Sequence, residues 1–153
     1  MNMTERAKQA GLYFVEGYNC AQAVAIAFAD ELKMEKADVA RLISSFGGGM
    51  GRLREVCGAV SGALLVLGWL KGYSDPTDDE AKKKHYALVQ EFAGRFKELH
   101  GSIVCREMLR NVPLKQENTH VPEARTAEYY KTRPCARFVE DAVMILEDLL
   151  AEN

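Results

Sequence analysis

The chain has no C-x-x-C pair, no C-x-x-C-H and no alternating run of apolar and polar residues long enough for a convincing strand. The first absence removes the thioredoxin-like dithiol motif, the second removes covalent haem attachment, and the third leaves an all-α fold. Histidine is scarce: His85, His100 and His120 stand far apart and form no metal-binding spacing. No charge of one sign dominates, since 20 basic residues face 22 acidic ones for a formal charge of −2. That balance creates no global field, so neither nucleic acid nor an anionic membrane is expected as a partner.

Long apolar runs are also missing. The longest, from Val56 to Leu70, is interrupted by glycines and Ser61 and falls short of the roughly 20 residues that a membrane span needs. The opening residues, Met1 to Ala10, mix charged and small side chains and hold no apolar stretch of signal-peptide length, so a cytoplasmic location is expected. In a reducing compartment an even number of cysteines is weak evidence for structural disulfides and better evidence for reactive thiols or metal ligands.

What the chain does hold suits one domain, 1–153, because 153 residues with 48% hydrophobic side chains can bury a core of their own. Apolar residues recur at three- and four-residue steps, predicting a single-domain bundle of about six to seven helices. The first runs from Thr4 to Gly17 through Ala7, Ala10, Tyr13 and Phe14. Asn19 and Gln22 have the spacing of a capping box at the head of a second helix, Cys20 to about Met34. A third, Lys36 to Phe46, uses Val39, Leu42 and Ile43. The fourth, Arg54 to Lys71, is apolar nearly all round and is expected at the centre, with Gly58 and Gly62 letting a neighbouring backbone approach closely. A fifth extends from Pro76 to Leu99, with Tyr86, Val89, Phe92, Ala93 and Phe96 inward and Gly101 as its C-cap. A short helix capped by Ser102, a polar loop from Asn111 to Pro122, a weakly helical piece from Glu123 to Lys131, and a last helix with Phe138, Val139, Ala142, Val143, Leu146, Leu149 and Leu150 complete the chain.

Against that frame the positions of Cys20, Cys57, Cys105 and Cys135 are informative, because each falls at a predicted helix start. Unpaired N–H groups and the positive end of the helix dipole stabilise a thiolate there. The arrangement predicts a sulfur site assembled by tertiary folding, with Arg52, Arg54, Arg106, Arg133 and Arg137 near in sequence to offset its charge. The bland alternative is that free cysteine is a small buried hydrophobe. The run Gly47-Gly48-Gly49-Met50-Gly51 lacks the lysine–serine/threonine ending of a phosphate loop and reads as a tight turn. Gly49, Gly51 and Gly58 are candidates for close approach to a bound centre.

The order of Cys20 in Tyr18-Asn19-Cys20-Ala21, a glycine-rich turn leading into Cys57-Gly58-Ala59-Val60-Ser61-Gly62, then isolated Cys105 and Cys135, resembles the family of redox-active proteins named for its C, GCAxxG, C, C pattern. The likeness spans about Cys20 to Cys135. The family name puts glycine before the central cysteine, whereas here Val56 precedes Cys57 and Gly58 follows it. The resemblance implies a small helical protein whose four cysteines serve redox or metal chemistry.

Two versions of that chemistry follow. In one, Cys57 is the nucleophile and Cys20 the resolving thiol of a dithiol pair that serves a redox partner the residues do not identify. In the other, Cys20, Cys57, Cys105 and Cys135 ligate an iron–sulfur cluster or another metal. A different class stands beside both: a noncatalytic protein with buried cysteines or structural zinc, His120 being the best fourth ligand, whose close-packing helix face forms a homodimer.

Overall fold

A computed structural model of the chain describes residues 2–114 and 119–153. Among the described residues nine right-handed α-helices follow in order: α1 Glu5–Glu16, α2 Cys20–Ile26, α3 Ala29–Leu32, α4 Lys36–Ile43, α5 Gly58–Lys71, α6 Asp79–His100, α7 Cys105–Met108, α8 Ala127–Thr132 and α9 Cys135–Glu152. Among the described residues there is no strand; a lone antiparallel bridge joins Val56 to Val104. No helix among these residues is long and apolar enough to cross a membrane. The centre of the polar loop expected over Asn111 to Pro122 lies outside the described residues.

The helix ends follow local chemistry. Thr4 accepts a hydrogen bond from the Ala7 amide to open α1, and Gly17, at φ 118°, closes it in the left-handed region. Asn19 accepts from the Gln22 amide at 2.8 Å while the Gln22 side chain accepts from the Asn19 amide at 3.1 Å, completing the expected capping box above α2. The long helix expected from Cys20 breaks at Ala27 and Phe28 into α2 and α3, whose buried faces are then set separately. Helix α6 starts at Asp79, capped by Asp78, rather than at Pro76, and Gly101 ends it as expected.

Packing departs from expectation at the centre. Helix α5 is not enclosed on all sides: Ala59, Val60, Ala63, Val66 and Leu67 are buried, but Trp69 is 66% exposed. An all-apolar sequence does not fix how many faces are covered. The last helix, α9, is the more enclosed, burying ten residues and packing against α1, α2, α5 and α6. Leu42 and Tyr86, expected inward, lie more than half exposed, so α4 and α6 present narrower faces through Val39 and Ile43 and through Phe92 and Phe96.

The closest helix pair is α2 against α5. A methyl group on Gly62 would sit 2.5 Å from the Ala21 carbonyl oxygen, and one on Gly58 would sit 3.2 Å from Cys20 Cβ. The two glycines thus let α2 lie directly on α5, which brings the start of one helix beside the start of the other.

Candidate functional site

Each of the four cysteines stands at a helix start. Cys20, Cys105 and Cys135 are the first residues of α2, α7 and α9, and Cys57 is the N-cap of α5. The helix around Cys57 begins at Gly58 because the preceding chain is spent on a different structure. From Gly48 to Arg52 five successive residues have φ between 58° and 72°, a left-handed turn whose Gly48 and Gly49 carbonyls accept from the Arg54 and Glu55 amides. A Cβ on Gly49 would stand 2.7 Å from the Glu55 amide nitrogen, so the turn needs glycine there for space as well as for φ.

The chain leaves this turn alongside the segment before α7. The Cys57 amide donates to the Ile103 carbonyl at 2.8 Å, and the Cys105 amide donates to the Glu55 carbonyl at 2.6 Å. Ser102, expected to cap a helix with Cys105 as its third residue, instead accepts from the Val104 amide at 2.9 Å. The bridge therefore fixes Cys57 and Cys105 next to each other, while the capping box and Gly58 place Cys20.

All four cysteines line one cavity of about 50 Å³, with Gly49 and Gly58 in its wall. That volume holds a few water-sized groups. The remaining wall is set by Arg54, Arg125, Tyr129, Arg133 and Phe138. Gly51 and His120 line an adjoining cavity instead, so neither reaches the sulfurs.

The thiols differ in charge. All four are free, and Cys57, Cys105 and Cys135 are buried. A hydrogen bond from the Cys20 thiol is the main influence lowering Cys135, to about 7, with help from the charge and hydrogen bond of Arg133 and the charge of Arg54. The same bond keeps the proton on Cys20, whose pKa lies well above that of an ordinary thiol. Burial pushes Cys57 up to about 12. Burial also raises Cys105, against the opposing charge of Arg54, whose Nη1 lies 3.8 Å from Cys105 Sγ. Near neutral pH the cavity therefore favours a single thiolate, on Cys135.

Charge comes from some expected arginines and not others. Arg54 and Arg133 are buried and face the sulfurs. Arg106 instead pairs with Glu55 at 3.1 Å, and Arg137 with Asp141 at 3.2 Å, both outside the cavity wall. Arg125 joins the wall although no local pattern pointed to it; it reaches in from the segment before α8 and is held by the carbonyls of Phe14 and Tyr18, each at 3.0 Å.

A family model described as "Putative redox-active protein (C_GCAxxG_C_C)" matches residues 18–149. The chain belongs to this family. No curated protein and no solved structure matches it. The C_GCAxxG_C_C match covers α2 through most of α9, so it contains all four cysteines, the left-handed turn and the bridge. Among the described residues no three histidine, cysteine, aspartate or glutamate side chains sit close enough together to hold a metal ion. As placed, the four sulfurs therefore do not form a ready ligand set for a metal ion.

Proposed function

We propose that the protein is a dithiol–disulfide redox protein in which Cys135 is the nucleophile and Cys20 the resolving thiol. The observation that carries this reading is the shared cavity wall, in which Cys20 and Cys135 stand together with the buried Arg133. It supplies a thiolate near neutral pH and a second sulfur within reach of the first. Cys57, the first choice on sequence grounds, is too strongly desolvated to be the better nucleophile.

In the forward half-reaction the Cys135 thiolate attacks one sulfur of a substrate disulfide. A bond forms between Cys135 Sγ and that sulfur, the substrate S–S bond breaks, and the departing sulfur leaves as a thiolate with the electron pair. Cys20 then loses its proton to solvent and attacks Cys135 Sγ, releasing the second substrate thiolate and closing a Cys20–Cys135 disulfide. Two electrons have passed from the dithiol to the substrate. A reducing dithiol of a redox partner reverses the exchange in two steps, leaves as a disulfide and restores the pair.

The test is trapping. Without a resolver the mixed disulfide persists, so Cys20→Ser exposed to a small disulfide should accumulate one adduct, on Cys135, visible by intact and peptide mass spectrometry. Cys135→Ser should form no adduct at neutral pH. Adduct formation on Cys57 in both variants would reject the assignment.

A further inference from the structure

The cysteine cavity opens into a second, larger one of about 240 Å³, and the two share Asn19, Gly48, Arg54, Arg125, Tyr129 and Arg133. Arg52 and His120 complete its basic wall, and Glu123 is the one carboxylate among its described lining residues. Glu123 accepts from Arg133 Nη2 at 2.9 Å. Arg125 is satisfied differently. It donates to the carbonyls of Phe14 and Tyr18 and to the Tyr130 hydroxyl, and its guanidinium lies over the Phe14 ring at 4.4 Å. Among the described residues no carboxylate pairs with it. Neutral groups fix its geometry, so among the described residues its charge is held in place with no ion pair.

A half-buried guanidinium held in this way, in a concave wall with three others, attracts a carboxylate or phosphate more strongly than an exposed one would. The wall runs continuously to the thiolate, because Arg133 lines both this cavity and the one that holds Cys135. We infer that this vestibule binds the acid group of an anionic low-molecular-weight disulfide, with Arg125 holding the acid group and Arg52, which donates to the Thr119 and Val121 carbonyls, adding charge to the same wall while the disulfide reaches Cys135. The inference rests on the dithiol reading and supplies its substrate class; the covalent step is the exchange written above. A space of this size suits a small molecule, and the basic wall selects an anionic one. The same arginines stabilise the thiolate that leaves.

The experiment compares three small disulfides of different charge on the reduced protein: glutathione disulfide, which is anionic, bis(2-hydroxyethyl) disulfide, which is neutral, and cystamine, which is cationic. Rates of thiol loss are measured for the natural chain, Arg125→Gln and Arg52→Gln. Glutathione disulfide should react at least about tenfold faster than the neutral compound, the ratio that one well-placed charge contact supplies. Arg125→Gln should remove most of that advantage, slowing the anionic compound by a clearly larger factor than the neutral one. Arg52→Gln, whose side chain does not anchor Phe14 or Tyr18, should reduce the advantage about threefold and provides the test if Arg125→Gln fails to fold. Equal rates for the anionic and neutral compounds would overturn the inference, as would equal losses for both in the variants. Reaction with a protein disulfide but with none of the small ones would also overturn it.

A parallel binding titration uses S-methylglutathione, which has the acid groups but no exchangeable sulfur. Saturable binding weakened by Arg125→Gln or Arg52→Gln supports the vestibule even if no disulfide reacts, in which case only the dithiol reading fails. No saturable binding overturns the vestibule.

Discussion

Cys20 and Cys135, far apart in the sequence, line one cavity, where their interaction lowers Cys135 to about 7 and raises Cys20 well above an ordinary thiol. They come to one place because the capping box fixes the start of α2, while α9, packed against α1 and α2, carries Cys135 to the same cavity. That asymmetry separates two otherwise similar thiols into different roles.

The first consequence is a pH profile. A lowered pKa keeps Cys135 ionised where an ordinary thiol is still protonated, so its reactivity persists as pH falls and is lost only through about 7. Alkylation by iodoacetamide, followed residue by residue with mass spectrometry, should give a half-point near that value for Cys135. Cys57 should need far more alkaline conditions, because burial raises it. A shared half-point near that of free cysteine, about 8.5, for all four would contradict the division of roles.

Arg133 makes a separable contribution. Its cation lies over the Tyr129 ring at 4.7 Å and acts on Cys135 through both charge and a hydrogen bond. In Arg133→Gln the half-point of Cys135 alkylation should rise by roughly one pH unit, the scale of losing one close opposite charge. Far-ultraviolet dichroism should stay unchanged, which separates the electrostatic effect from unfolding.

The glycines predict opposite stability effects. In Gly62→Ala the new methyl group meets the Ala21 carbonyl at 2.5 Å, a backbone atom that moves only if α2 moves away from α5. Overpacking of this kind should cost about 1–3 kcal/mol in denaturant unfolding. Gly94→Ala, in the middle of α6 with nothing within 4 Å of the new methyl, should instead stabilise by about 0.5–1 kcal/mol through helix propensity. If both substitutions behaved alike, the close approach of α2 and α5 would be wrong.

Much of this site was legible because its parts are local. Asn19 and Gln22 announce a helix start by their spacing, Gly58 and Gly62 announce a close approach by theirs, and the helix-start position of Cys20 follows from its cap. The bridge from Val56 to Val104 was not legible, since one pair of residues has no periodicity and its partner comes from a distant segment. For the same reason the α5 start was expected at Arg54 when that residue in fact sits at φ 61° in the left-handed region. Arg125 was invisible for a third reason: its place is fixed by the carbonyls of Phe14 and Tyr18, which no sequence pattern ties to it. The choice between Cys57 and Cys135 as thiolate depended on burial and on which thiol shares a proton, and neither is written in spacing.

The most direct test is the identity of the disulfide that the reduced protein forms when oxidised by one equivalent of a small disulfide. Nonreducing peptide mapping should recover Cys20 linked to Cys135, with Cys57 and Cys105 still free. A Cys57–Cys105 link in its place, or four thiols that stay reduced while the protein retains iron and labile sulfide, would contradict the account.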